Sequence, residues 1–184
     1  MSTLRFDEWY NSDGTKRQTI VGVTQKAVTD ASSYSPGTGW IEVIPMTAGI
    51  TVKSSTSRIM IMMTAQMSTG YWELQGKFKR KVGTFGTFVD VGWGSRRYQT
   101  NANVECGFTH SHYMNNYQVN LWYPVSYNYI DTPRVSAGTT VYYRLYVNSY
   151  NSNAVYLNRT RDWTDNSDYN GAPISSVTLM EIAA

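Results

Sequence analysis

The chain has 184 residues, a length that fits one domain with a real hydrophobic core. Apolar residues make up 41%, which excludes a disordered chain, and charged residues are only 16%. The formal charge of +3, with no long Lys/Arg run and no zinc-finger spacing, gives no support to a nucleic-acid partner. Cys106 is the single cysteine, so no internal disulfide can form, and a buried inert thiol is the expectation. The start, Met1-Ser-Thr-Leu-Arg-Phe-Asp-Glu-Trp9, lacks the apolar stretch of a signal peptide. No apolar run approaches the roughly 20 residues that span a bilayer. The expectation is a soluble product of the cytoplasm, without membrane insertion, that reaches any exterior by a route other than the Sec pathway.

In chain order, residues 1–19 read as an arm. They are charged and aromatic up to Thr15, and Asn11-Ser-Asp-Gly14 is a turn signal. Leu4, Phe6, Trp9 and Tyr10 are poor choices for a solvated tail, which favours docking on a partner over a frayed terminus. Residues 20–184 read as one all-β head. The 15 Tyr and 6 Trp, with many β-branched residues, suit pleated, half-buried surfaces.

Strands are predicted near 20–28, 40–44, 50–53, 57–67, 71–82, 86–91, 97–108, 111–130, 139–149, 153–158 and 174–183. Ser35-Pro-Gly-Thr-Gly39, the glycines 83, 86, 92 and 94, Asp131-Thr-Pro133 and Ala137-Gly138 supply the breaks. Val141, Tyr143, Leu145 and Val147 alternate with Tyr142, Arg144, Tyr146 and Asn148, giving one dry face and one wetter, aromatic face. Val119, Leu121, Tyr123 and Val125 repeat the pattern, as do Phe78 and Val82 against Lys77, Lys79 and Lys81. No segment has a helical period. Many short strands at this spacing predict an antiparallel sandwich or barrel.

Two strands break the alternation. Ile59, Ile61 and Met63 oppose Met60 and Met62, and Val177 and Leu179 oppose Met180 and Ile182. A sandwich buries one face of each sheet, so the second apolar face wants a cover. Another subunit is the economical cover, and Met60, Met62, Met180 and Ile182 are its candidate contacts. A loop, or a central place in a closed barrel, is the alternative.

Few constellations carry chemistry. His110-Ser111-His112 puts two imidazoles on one face of a strand, an arrangement that suits a transition metal if repeated about a threefold axis. Two surface histidines near a loop are the plainer reading. Asp162, Asp165 and Asp168 lack the spacing of a calcium loop and read as solvated acids. Asn158-Arg-Thr160 matches a glycosylation sequon, read as chance. Lys77, Lys79, Arg80 and Lys81 with Arg96 and Arg97 form a basic region beside Tyr71, Trp72, Trp93 and Tyr98. Rings stack on sugars and cations steer toward anionic surfaces, although lysines also blunt strand edges. Asp90, Glu73, Glu105 and Asp131 are scattered, and neither a Gly-x-Ser-x-Gly nor a phosphate-binding glycine loop is present. The expectation is a protein that is not an enzyme and takes no cofactor.

The chain carries, in order, Ser2-Thr-Leu-Arg5, Gly49-Ile-Thr-Val-Lys-Ser-Ser-Thr-Ser-Arg-Ile-Met-Ile61, Gly94-Ser-Arg96, Tyr129-Ile-Asp-Thr-Pro133, Thr140-Val-Tyr-Tyr143, Leu157-Asn-Arg159 and Ser175-Ser-Val-Thr-Leu-Met-Glu-Ile-Ala183. Together these segments resemble a domain common in phages of cyanobacteria and marine bacteria, usually labelled tail fibre or virion structural protein. The match is near-complete at the C-terminal segment and weaker over 70–125. The resemblance implies a jelly-roll β-sandwich like the trimeric heads of tumour-necrosis-factor and complement-type proteins, with inner sheets meeting on the axis. It implies a homotrimer on the phage particle whose arm docks on other virion proteins. A tail-fibre or adhesin module would contact a host surface glycan, with Trp72, Trp93, Arg96 and Arg97 as candidate contacts. A capsid decoration protein is the alternative.

Overall fold

Strict alternation of buried and solvent-side residues builds most of the structure, a computed structural model that describes residues 19–37, 39–69, 73–91, 96–98, 102–104, 108–111, 123–149, 154–160 and 173–183. Thirteen strands account for nearly all of it. They are β1 (Thr19–Val28), β2 (Ser32–Tyr34), β3 (Ile41–Thr51), β4 (Arg58–Thr69), β5 (Glu73–Val82), β6 (Val89–Asp90), β7 (Arg96–Tyr98), β8 (Ala102–Val104), β9 (Phe108–Ser111), β10 (Tyr123–Asp131), β11 (Thr140–Ser149), β12 (Val155–Leu157) and β13 (Ser175–Ala183).

One sheet runs β1-β13-β4-β10, with the short β12 and β2 continuing from the end of β4. The other runs β3-β11-β5, with β9 and β6 beside β5. Every pairing is antiparallel. Eight principal strands remain when the short ones are set aside. The first, last, third and sixth lie side by side in one sheet, and the second, seventh, fourth and fifth in the other. That interleaving is the jelly roll. The all-β antiparallel sandwich read from the sequence is therefore the fold.

The two sheets share one core. Val43, Met46, Phe78, Val141, Tyr143 and Leu145 come from one side, and Ile59, Ile61, Met63, Val125, Val177 and Leu179 from the other. At roughly 1.5–3 kcal/mol per fully buried aliphatic or aromatic side chain, this layer is the main source of stability. The dry face of 141–147 and the inward faces of β4 and β13 lie where alternation puts them.

The structure corrects two sequence readings. Segments 40–44 and 50–53 are one strand, β3. Its register against β11 jumps from Thr47 opposite Arg144 to Val43 opposite Leu145. Pro45 cannot donate to the ladder, so the strand bulges at 44–46, with Thr47 Oγ1 donating to the Ile44 carbonyl. Val82 does not share the burial of Phe78; it is exposed at the strand end. Of the predicted segment 111–130, β9 reaches Ser111 and β10 starts at Tyr123, while 112–122 lie outside the described residues.

Buried polar groups tie the strand ends together. Asn158 is fully buried in the left-handed region (φ 56°), which Asn tolerates better than most residues. Its Nδ2 donates to the carbonyls of Val28 and Asp30, and Ser175 Oγ donates to its Oδ1 at 2.6 Å. Ser175 Oγ also accepts from Gln66 N. An amide so enclosed cannot accept a glycan, so the sequon at 158–160 is a structural element. Across the sandwich, Asp131 accepts from Tyr143 Oη and from Arg80 Nη1. At the turn before β4, the buried Glu181 accepts from Lys53 N, while Lys53 Nζ donates to the Val21 carbonyl. Gly22 opposite leaves room, since a Cβ there would stand 3.3 Å from Glu181 Oε2.

Asn158→Ala removes the amide donor of two carbonyls, one of them on the buried Val28, and the acceptor of the Ser175 hydroxyl proton. It should cost about 3 kcal/mol in urea unfolding. Asn158→Gly, which keeps the backbone angle at ease, should lose less. Equal, small losses would show that the amide does not hold the strand ends.

Candidate functional surfaces

The jelly roll leaves two broad outer faces, and their chemistry differs. Cross-strand partners project to the same side, so register assigns each face. On the β1-β13-β4-β10 sheet, Val23 pairs with Met180, Met180 with Met60, and Met60 with Ile130. One apolar row thus crosses all four strands. Ile20 pairs with Ile182 beside it. Ile20, Val23 and Ile130 are 56%, 59% and 45% exposed, and Met60, Met62, Met180 and Ile182 are half-buried. The sequence-predicted four do share one face. The structure adds Ile20, Val23 and Ile130, which sequence reasoning missed because only the register brings them together.

Toward the other end of this face the row turns hydroxylic. Thr64 pairs with Ser126 and Ser176, and Met62 with Asn128 and Thr178. These residues line a shallow depression of about 240 Å³. Among the described residues of this face on the four strands, Arg58 at the start of β4 is the single charged side chain.

The outer face of the β3-β11-β5 sheet is cationic and aromatic. Lys77 Nζ lies 4.5 Å from the Trp40 ring, Lys79 Nζ 4.8 Å from Tyr146 and Lys81 Nζ 5.0 Å from Tyr142. The Arg144 guanidinium lies 4.4 Å from Phe88 and pairs with Glu42, which also accepts from Tyr146 Oη. Asp90 stands 3.0 Å from Lys77 and 3.6 Å from Lys79. Rings and carboxylates on the protein itself thus engage most of these cations, and Lys77 is buried. Arg80 is a further correction: strand alternation sends it to the opposite side from the lysines, where it pairs with Asp131 at 2.8 Å.

Burial pushes the phenols up. Tyr146 is raised to about 12, first by burial and then by its hydrogen bond to Glu42. Tyr143 and Tyr127 are pushed well above the ordinary phenol range, again first by burial.

Several candidate residues lie outside the described residues: Leu4, Phe6, Trp9 and Tyr10 of the arm, Trp72, Trp93, His112, Cys106, Asp162, Asp165 and Asp168. Arg96 and Arg97 lie on β7, paired with β8. His110 lies on β9 opposite Leu74 of β5. Among the described residues no three His, Cys, Asp or Glu side chains come together to hold a metal. Among them, too, no helix is long and apolar enough to cross a membrane.

A phenol whose folded pKa exceeds its unfolded value of about 10 contributes stability that is whole below pH 10 and is lost as pH rises toward the folded value. For Tyr146 that window is pH 10 to about 12. Melting temperature should fall across it, and Tyr146→Phe should flatten part of the decline. An unchanged slope in the variant would contradict the burial of this phenol.

No protein-family model matches the sequence, and no curated protein matches it. Among solved structures, the chain is similar to the crystal structure of the infectious bursal disease virus VP2 subviral particle, at a TM-score of 0.40 and 9% identity over 99% of this chain and 43% of that one. It is similar to the structure of the infectious bursal disease virus Gx strain at a TM-score of 0.37 and 12% identity, over 100% of this chain and 42% of that one. The chain spans less than half the length of these proteins. At such scores the jelly roll rests on the strand order itself.

Proposed function

We propose that the chain is a bacteriophage virion structural protein whose jelly-roll head assembles as a homotrimer through the outer face of the β1-β13-β4-β10 sheet. The observation that carries this is the apolar row Val23–Met180–Met60–Ile130 on a face whose single described charge is at its edge. Around a rotation axis each side chain meets copies of itself, so any charge near the axis meets its own sign. A charge-poor apolar face escapes that penalty. The resemblance to phage virion proteins supplies the particle and the threefold symmetry, with this same sheet innermost. The role is structural and involves no catalytic step.

Within that role, the first reading is a tail-fibre or adhesin module that contacts a host surface glycan, with the arm of residues 1–19 docking on other virion proteins. The second is a capsid decoration protein. The engagement of Lys77, Lys79 and Arg144 by rings and carboxylates of the same chain favours the second, because it leaves fewer cations to meet a host glycan. Labelled particles imaged by electron microscopy separate them: signal on the tail supports the adhesin, and signal on the head supports decoration.

Sedimentation at micromolar concentration should show a trimer. Met60→Asp and Met180→Asp should each shift it toward monomer, since an unpaired charge in a dry interface costs several kcal/mol. Both side chains are half-buried on an outer face, so the monomeric variants should still fold. A monomeric wild-type protein, or variants that remain trimeric, would place the interface elsewhere.

A further inference from the structure

We propose that the hairpin tip between β5 and β6, residues 82–89, is a docking finger for an anionic lipid surface. The segment Val82-Gly-Thr-Phe-Gly-Thr-Phe-Val89 carries no charge. Phe85 stands at its apex fully exposed, at 100%, with Val82 and Val89 exposed as shoulders at 40% and 51%. A large ring wholly in water is a disadvantage that a partner would remove.

The turn is built to hold that ring out. Gly83 takes a positive φ of 67°, and its N donates to the Thr140 carbonyl at 2.9 Å. Gly86 folds so close to the strand that a Cβ would stand 2.3 Å from the Val82 carbonyl oxygen. Lys81 Nζ donates to the Thr84 carbonyl at 3.1 Å. The chain therefore presents Phe85 in one geometry, with Thr84 and Thr87 exposed around it.

Charge decides the occupant. Lys77 and Lys79 lie further down β5 and are engaged by Asp90 on the returning leg, so the cation nearest the tip is Lys81. Lys81 sits immediately behind the apolar apex and meets no carboxylate among the described residues, only rings and the Thr84 carbonyl. A convex apolar tip with a cation immediately behind it matches an anionic lipid interface, where the ring enters the acyl boundary and the Lys81 ammonium meets a headgroup phosphate. A fluid surface accepts a convex tip without a preformed pocket. The contact is one side chain deep and is distinct from a membrane span. This inference stands independently of trimer formation and of any place on a virion.

The test is co-sedimentation of the full chain with vesicles of phosphatidylcholine alone and of phosphatidylcholine with phosphatidylglycerol. Binding is expected to the anionic vesicles, weaker at high salt, and about tenfold lower for Phe85→Ser. Phe85→Trp should keep binding and show a blue shift in emission when anionic vesicles are added. Both variants should melt with the wild type, because nothing in the fold packs on this ring. Absence of vesicle binding, or equal binding by Phe85→Ser, overturns the proposal. Binding to whole cells that depends on Phe85, without any binding to vesicles, overturns it also and assigns the finger to a protein partner.

Discussion

The register of β4 is the constraint on which the rest of the structure depends. β4 pairs with β10 along one edge and with β13 and then β12 along the other. A slip by one residue would exchange Ile59, Ile61 and Met63 for Met60 and Met62. In most strands such a slip is forbidden because it drives polar residues into the core. Over 59–63 both sets are apolar, so there the hydrophobic pattern specifies the register weakly, and Arg58, Thr64 and Gln66 on the outer side carry the pattern's opposition to a slip. Buried polar contacts supply what the pattern lacks. Ser175 Oγ bridges Gln66 N and Asn158, Glu181 meets Lys53 N, and Asp131 gathers Tyr143 and Arg80. The Ser175–Gln66 and Glu181–Lys53 contacts break when β4 slips against β13 and leave a buried group unsatisfied, at a cost of about 1–3 kcal/mol, while Asp131 fixes β10 against the opposite sheet.

The segments that carry the family resemblance are largely these same contacts. Tyr129–Pro133 holds Asp131 and Thr140–Tyr143 holds its partner Tyr143. Leu157–Arg159 holds Asn158 and the closing segment holds Ser175. Glu181 lies in that same closing segment and its partner Lys53 in Gly49–Ile61, and Thr51 and Thr140 share a hydroxyl hydrogen bond at 2.9 Å. The motifs of that resemblance thus lie largely at the contacts that fix the strands, and only a few of them at the outer faces.

That division explains what was legible in the sequence. Strand 141–147 was readable because one face is dry and the other carries Arg144 and Asn148, so period alone assigns it. β3 was not, because Pro45 reads as a break and only the pairing with β11 shows a bulge within a continuous strand. Met60, Met62, Met180 and Ile182 were readable as a second apolar face, since they interrupt an alternation. Ile20, Val23 and Ile130 were not, because three separate segments join that face only through register. The basic row was legible as lysines at period two, but not the rings that cover them: Trp40 and Phe88 come from other parts of the chain. Arg80 was misplaced for want of a strict reading of the same alternation. Phe85, in a short uncharged turn, gave no signal without its exposure.

The molecule thus has one face that is charge-poor and apolar, one whose cations are largely engaged by its own rings and acids, and a rigid tip that holds an aromatic ring in water. Association of the first face with copies of itself is the central claim, and a structure of the assembled protein in solution by electron cryomicroscopy tests it most directly. The account predicts three subunits with the β1-β13-β4-β10 sheets innermost, and with Met60, Met180 and Ile182 covered by neighbouring copies. A map in which that face lies open to solvent, with the subunits joined elsewhere, would contradict it.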